Sequence, residues 1–425
     1  MKHPGKRRTP APLRRPTDLG KILEIARAMA ATEDLDALLG LIVERSMELL
    51  GAERATVFLY DAPSDELVSR VAAGEGEIRS PADRGIAGAT IRQGATLLVA
   101  DAYADPRFNP DVDRKTGFRT RNILSVPLRD YHGGLVGVLQ ILNKAGGPFD
   151  AQDVELGEVL GAQAGVALQR ARLIGHFLQK QEMERAMKIA RDIQQALLPE
   201  AGPRICGYDV AGFCQPADQT GGDTYDFMPL PDGRWMLAVA DATGHGIGSA
   251  LVIAETRAML RALSRHGPPD ASAVLRNVNE LLAADLGDAR FVTCFLGLLD
   301  PLVHRLSCAS AGHGPLLFYR RKEDAFEEVE ATAMPLGILA EAPFDEVFTR
   351  SLAPGDFAAV TTDGFFEAAN PAGEAFGVKR MRELLRRDRD LPSARMIERL
   401  HQAVRDFTAG QPPQDDLTAV VIRRR

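Results

Sequence analysis

The spacing of apolar residues changes along the chain and separates it into three regions. Between residues 21 and 52, KILEIARAMAATEDLDALLGLIVERSMELLGA repeats apolar positions every three or four residues, which predicts two helices. Thr32 or Asp34 stands near a helix cap, and Gly51 is placed as a stop. Short strand-like runs follow: ATVFLYD, ELVSRVA, ATLLVAD, ILSVPLRD and LVGVLQILNK. Tyr131-His132-Gly133-Gly134 is the hairpin signal between the last two. The pattern predicts an α+β domain with an antiparallel sheet and an extended middle loop, DAYADPRFNPDVDRKTGFRTRN.

From Phe149 to Leu198 there is no proline. Its last stretch places Ala186, Ile189, Ala190, Ile193, Ala196 and Leu197 on one helical face, the spacing of a coiled-coil or bundle seam. Pro199 ends the helix. A helix of roughly 45 residues would extend ~65–70 Å, longer than a typical domain needs. Two helices broken near Gly175 are the alternative; a dimerising signalling helix between two domains is favoured. Beyond about Gly202 the pattern turns to strands: RWMLAVAD, FVTCFLGLLD, HRLSCASAG, LLFYRRK, DFAAVTTD and LTAVVIRR, with Asp300-Pro301 marking a turn. Two helical stretches, 249–266 and 270–285, interrupt them. Helices grouped between runs of antiparallel strand predict a β-sandwich flanked by helices.

Composition narrows the reading. At 425 residues, two or more domains are expected. A 45% apolar and 26% charged composition is that of a globular protein, and a net charge of −7 gives no general basis for binding nucleic acid. Residues 1–16, with Lys2, Lys6, Arg7, Arg8, Arg14 and Arg15 among four prolines, read as a disordered basic tail. No run reaches the ~18–20 apolar residues of a membrane span, and no signal peptide is evident. Cys206, Cys214, Cys294 and Cys308 lack paired metal-ligand spacing, which points to reduced thiols in the cytoplasm. Neither a zinc signature nor a GxxxxGK[ST] loop is present.

The candidate chemistry lies in acidic residues at strand ends. Asp241 closes RWMLAVAD and opens the loop VADATGHGIGSAL. Asp363 follows DFAAVTT, and Asp415 and Asp416 lead into LTAVVIRR. If the strands carrying Asp363 and Asp415 run antiparallel, both carboxylates lie at one end of the sheet. Asp223 and Asp226 in GGDTYDF are further candidates, beside a glycine pair that allows close backbone approach. Carboxylates ~4 Å apart repel by about 4 kcal/mol per pair at an effective dielectric near 20. Divalent cations remove that cost, and all-oxygen donors favour Mg²⁺ or Mn²⁺ over zinc. A glycine-rich loop that would otherwise suggest a nucleotide then suits a metal site that attracts phosphate.

GGDTYDF, VADATGHGIGSAL, SAGHGPLLFY, TTDGFFEAANP and DDLTAVVIR, with IARDIQQALLP before them, resemble the successive motifs of SpoIIE/RsbU-type serine phosphatases. These are bacterial members of the metal-dependent protein phosphatase superfamily, and the match spans about residues 185–425. The resemblance implies an αββα sandwich with two divalent cations at one end. It implies that Asp241 bridges the metals, that Ala242 offers its carbonyl, that Asp363 and Asp415 complete one shell, and that Asp223 serves the second metal. Asp226, Gly244, His245 and Asp416 take supporting places. A metal-activated water would attack the phosphorus, with no protein nucleophile. His313, in SAGHG, is read as architectural.

Over about residues 17–170 the chain resembles a GAF domain, through ERATVFLYD, GIAGATIRQGATLLVADAYADPRF, ILSVPLRD and GGLVGVLQILNKAGGPFDAQDVE. Asn143, Lys144, Phe149 and Asp153 are similar to the NK…F…DE motif of cyclic-nucleotide-binding members, but Val154 stands where its final acid would be. The GAF ligand is unknown from sequence, and the cysteine-free first 205 residues argue against a thioether-linked bilin. The expected organisation is a basic tail (1–16), a GAF sensor (17–170), a helical linker (171–199) and a phosphatase domain (200–425). The expected substrate, by resemblance, is a phosphorylated STAS-domain anti-sigma-factor antagonist. A homodimer through GAF and linker, and a small-molecule or protein activator, complete the expected partners. A non-catalytic adaptor that binds a partner through the same fold is the competing reading.

Overall fold

The computed structural model describes residues 16–69, 78–266, 270–287 and 290–425. The basic stretch 1–15 lies outside them. The chain forms two compact units, divided between Glu182 and Met183.

In the first unit, α1 (Pro16–Ala31) and α2 (Leu35–Leu50) are punctuated as their sequence dictates. The Asp34 carboxylate accepts a hydrogen bond from the Ala37 amide at 2.8 Å, and Gly51 closes α2 in the left-handed conformation. β1 (Ala52–Asp61), β2 (Glu66–Ser69) and β3 (Ile78–Pro81) precede α3 (Gly85–Gln93) and β4 (Leu97–Val99). After α4 (Asp111–Thr116) come β5 (Ile123–Arg129), β6 (Leu135–Lys144) and α5 (Ala151–Leu197). The strands make one antiparallel sheet in the order β3-β2-β1-β6-β5-β4. Ala55, Val57 and Leu59 on alternate positions of β1 pack with Leu38, Leu39 and Ile42 of α2 and with Leu160, Ala164 and Leu168 of α5.

The segment expected as an extended loop is folded on itself. A 3₁₀ turn (Ala102–Ala104) and α4 interrupt it, because the buried Asp113 carboxylate gathers three donors: the Thr120 amide at 2.7 Å, the Thr120 hydroxyl at 2.8 Å and the Tyr103 hydroxyl at 3.0 Å. α3 is also additional to the sequence reading; Ile86, Ala87, Thr90 and Ile91 form its buried face. The long helix is a single element of 47 residues, continuous through Gly175. Leu173, Phe177, Leu178, Met183, Ile189 and Ile193 remain exposed along it.

The second unit begins with β7 (Tyr208–Gln215), β8 (Asp223–Pro229) and β9 (Trp235–Ala242). Next come α6 (Ile247–His266), α7 (Ala271–Asp285), β10 (Val292–Asp300), β11 (Arg305–Ala311) and β12 (Leu316–Arg320). β13 (Ala325–Val329), β14 (Phe348–Ser351), β15 (Phe357–Thr361), α8 (Gly364–Glu367), α9 (Gly377–Arg387), α10 (Ser393–Phe407) and β16 (Leu417–Arg424) complete it. One sheet has the order β14-β11-β10-β9-β8 and the other β13-β12-β15-β16-β7. Apolar side chains between the sheets, including Tyr225, Leu237, Val239, Phe295, Phe318 and Val420, form the central core. α6 and α7 cover the first sheet and α8, α9 and α10 the second, giving an αββα sandwich. The last three helices are additional to the two read from sequence. α9 and α10 are rich in arginine, and each buries a narrow stripe; Met396, Ile397, Leu400 and Val404 form that of α10. Among the described residues no helix is long and apolar enough to cross a membrane.

Candidate functional site

Strand alternation decides which acids converge. In β9, Met236, Ala238, Ala240 and Ala242 face the helices, whereas Leu237 and Val239 face the opposing sheet. Asp241 continues the inward series. In β8, Tyr225 and Phe227 face inward, and Asp223 continues them. The register sets Asp223 directly opposite Asp241. From the second sheet, Ala358 and Val360 face inward, so Thr362 does too; its hydroxyl donates to Asp223 at 2.8 Å. β15 and β16 are antiparallel, with Thr361 opposite Ala419. The exit of one strand, Asp363, and the entrance of the other, Asp415, therefore lie at the same end.

Asp416 organises the backbone beneath this cluster. Its carboxylate accepts from the amides of Ala217 at 2.7 Å, Gly222 at 2.6 Å and Asp223 at 3.2 Å. The glycines nearby follow from that packing. A Cβ at Gly221 would overlap the Asp416 carboxylate, and one at Gly364 would overlap the Asp416 carbonyl. At Gly222 a Cβ would fall 2.5 Å from the Ala242 carbonyl oxygen. Gln194, in the last turn of α5, holds the same loop from outside. Its side chain accepts from the Gly221 amide at 3.0 Å and donates to the Gly221 carbonyl at 2.6 Å. Thr362 and Gln194 were not singled out from the sequence, and a lone hydroxyl or amide carries no periodic signal that could have done so.

Three of the supporting candidates stand elsewhere. Asp226 is three residues from Asp223 in the same strand and so faces the helix layer, away from the cluster. There it is 1% exposed, takes two hydrogen bonds from Arg261 at 2.5 and 2.9 Å, and lies 3.0 Å from the Arg257 guanidinium. It fastens α6 to β8. His245 is on the surface, its side chain 91% exposed and 4.0 Å from the Asp218 carboxylate. Gly244 has φ +88°, which lets the loop turn immediately after β9.

The cluster's electrostatics follow from burial and mutual repulsion. Burial, then the charges of Asp241 and Asp416, push Asp223 well above the usual carboxylate range. Asp241 is pushed up to about 7 by burial and by Asp363, Asp415 and Asp416. Burial, Asp415 and Glu367 raise Asp363. Burial raises Asp416 against its backbone donors. Among the described residues no three His, Cys, Asp or Glu side chains are drawn together as a finished metal cage. The donor set nevertheless fits a hard divalent cation in kind: it is all oxygen, and its crowded, buried carboxylates repel one another in a way a cation would relieve.

His313 lies fully buried behind the cluster, with Nδ1 3.1 Å from the Thr293 hydroxyl and Nε2 without a hydrogen-bond partner. Burial lowers it to about 4. With the folded value depressed below the ordinary 6.5, its stabilising neutrality is present above pH 6.5 and is lost as pH falls towards 4. The unfolding free energy of the wild type relative to His313→Gln should therefore drop by ~2–3 kcal/mol between pH 7 and pH 4.5. Urea titrations of both proteins at the two pH values measure this; an unchanged difference would mean that the imidazole is solvated.

Residues 231–425 match the family model for stage II sporulation protein E (SpoIIE), and residues 34–168 match that for the GAF domain. The chain joins a GAF domain to a SpoIIE-type phosphatase domain. It is 27% identical over 249 residues to phosphoserine phosphatase RsbU of Bacillus subtilis (strain 168), a match covering 58% of this chain and 72% of that protein. It is 32% identical over 190 residues to the cGMP-specific 3',5'-cyclic phosphodiesterase of Drosophila ananassae, covering 40% of this chain and 16% of that one. The SiaA-PP2C domain of Pseudomonas aeruginosa shares the fold, with 24% identity and a TM-score of 0.50, over 58% of this chain and 98% of that domain.

The GAF domain holds a cavity of about 460 Å³ between its sheet and α3 and α4, lined by Phe58, Ile86, Ile123 and Leu142 with Arg54 and Asp113. The NK…F…D residues do not line it. Lys144 pairs with Asp153 and, at 3.3 Å, with Asp150, while Asn143 ties Arg119 and Arg121 to Glu53. That motif is a structural clasp in this domain. In the SpoIIE-type domain a cleft of about 600 Å³ opens beside Asp415 and Gly364.

Proposed function

We propose that the chain is a metal-dependent phosphoserine/phosphothreonine protein phosphatase controlled by its GAF domain. The observation that carries this is the set of Asp223, Asp241, Asp363 and Asp415 at one end of the sandwich, where burial and neighbouring carboxylates raise the pKa of Asp223, Asp241 and Asp363 and no lysine or arginine neutralises them. These carboxylates and the Ala242 carbonyl would hold two Mn²⁺ or Mg²⁺ ions. Bound there, the ions would supply an activated water and neutralise charge on the phosphoryl oxygens. Asp416, Thr362 and Gln194 act through position, fixing the loop that carries Asp223. His245, exposed near Asp218, is free to meet the leaving seryl oxygen as substrate docks.

The substrate, by resemblance to RsbU-type proteins, is a phosphorylated STAS-domain antagonist in a cytoplasmic partner-switching pathway. The exposed apolar residues of α5 support a homodimer through that helix. Gln194 gives the helix a direct hold on the loop before Asp223, and this supports control of the site by the GAF domain and its ligand or partner. The full chain with Mn²⁺ should release phosphate from a phosphoserine STAS protein, chelation should stop it, and removal of residues 1–175 should change the rate. A protein that binds the phosphorylated partner and releases no phosphate would be an adaptor instead.

A further inference from the structure

The cleft beside Asp415 shares that one carboxylate with the cluster and otherwise lies apart from it and from the central core. Inward alternation sends Asp223 and Asp241 between the sheets, whereas Gln215, Leu417, His401 and Val404 line this cleft on the α10 side of the second sheet. Asp415 and Gly364 are part of its lining, so a phosphoserine held at the cluster would have its neighbouring residues beside the cleft. The loop Gln411–Gln414 forms one edge, presenting two amides and two prolines. His401, packed at a tilt against Phe213 with ring centroids 4.7 Å apart, also lines it.

Its charges are divided. Glu367, on α8, and Asp415, before β16, line it together with Arg405 of α10. Among the described residues Arg405 is exposed and its guanidinium makes no ion pair or hydrogen bond. On the same helix Arg395 is held by Glu398, and Arg399, equally without an ion pair among the described residues, does not line the cleft, so Arg405 is the arginine of α10 that faces it. An uncommitted guanidinium lining a cleft that also presents two side-chain amides suits an extended peptide that brings its own carboxylate. The volume lies within the ~300–1,000 Å³ usual for ligand sites.

We propose that this cleft binds the polypeptide flanking the phosphoserine and that Arg405 selects substrates carrying an acidic side chain there. The inference rests on the phosphatase reading and adds a specificity residue to it. Arg405 touches none of the cluster acids through a hydrogen bond or ion pair, so it governs which phosphoprotein is held rather than the hydrolysis itself.

The test compares full-length wild type and Arg405→Glu on three substrates with Mn²⁺: p-nitrophenyl phosphate, a serine phosphopeptide with flanking glutamates, and the same peptide with lysines in their place. The expected result is unchanged p-nitrophenyl phosphate turnover, a 10- to 100-fold fall in kcat/KM for the glutamate peptide through KM, and a gain for the lysine peptide, or ~1.4–2.8 kcal/mol of recognition. Equal kcat/KM values for both proteins on the glutamate peptide would overturn the proposal. So would a parallel fall on p-nitrophenyl phosphate, which would place Arg405 in support of the cluster instead. Wild type inactive on all three substrates would remove the phosphatase reading and this proposal with it.

Discussion

Replacing Asp241 by asparagine should abolish metal-dependent phosphate release while making the metal-free protein harder to unfold. Activity should fall by about a thousandfold or more, because losing one ligand carboxylate removes several kcal/mol of transition-state charge stabilisation. The gain in stability comes from the same side chain. Its folded pKa is raised from the ordinary 3.8 to about 7 by burial and by Asp363, Asp415 and Asp416. A raised carboxylate is no burden below pH 4, and its stabilising neutrality is lost as pH rises through 7. In chelator the wild type should lose stability across that window, on the order of 3–4 kcal/mol, and Asp241→Asn should not. Thermal melts from pH 4 to 8, with and without Mn²⁺, measure the effect; Mn²⁺ should restore the wild type and do little for the variant. A variant that hydrolysed phosphopeptide normally would exclude Asp241 from any metal site. The sign is opposite to that expected for His313, so the two groups are separable by pH alone.

Asp416→Ala should damage both fold and activity without removing a direct metal donor. The variant leaves the amides of Ala217, Gly222 and Asp223 without their acceptor. At about 1–3 kcal/mol for each buried unpaired group, a loss of ~3–6 kcal/mol is expected. Asp416→Asn keeps one carbonyl oxygen and should lose about half as much. The loop before Asp223 would move in both, so half-maximal activation should need more Mn²⁺. Urea denaturation and Mn²⁺ titration of phosphate release test the pair. Full stability in the alanine variant would mean that water replaces the carboxylate.

The parts of this molecule that were legible in the sequence are those with a local physical cause. Asp34 and Gly51 bound a helix through interactions with residues three or four positions away. The common end of Asp363 and Asp415 followed from antiparallel pairing alone, and β15 and β16 pair that way. The acids that misled did so through faces. GGDTYDF offers Asp223 and Asp226 together as candidates beside a glycine pair, but it forms β8, whose twofold period sends the two to opposite sides. Reading it as a strand would have separated them. α4 was hidden because its stability comes from Asp113 gathering Thr120 and Tyr103, a contact with no repeat. α10 carried a legible stripe, Met396, Ile397, Leu400 and Val404, diluted by its charged residues. The triple acceptance by Asp416 joins positions almost two hundred residues apart, beyond any window of pattern.

That last separation has a consequence for timing. β7, the first strand of its unit, lies in the sheet beside β16, the last. The amides at 217, 222 and 223 are made early and wait for a carboxylate at 416. Non-local closure of this kind is slow to form compared with local helices. A chain still growing at the ribosome can fold its GAF domain and much of α5 while the loop before Asp223 has no floor. The GAF domain is therefore complete before the loop ahead of Asp223 can close, and the Asp416 anchor is among the last parts of the fold to form.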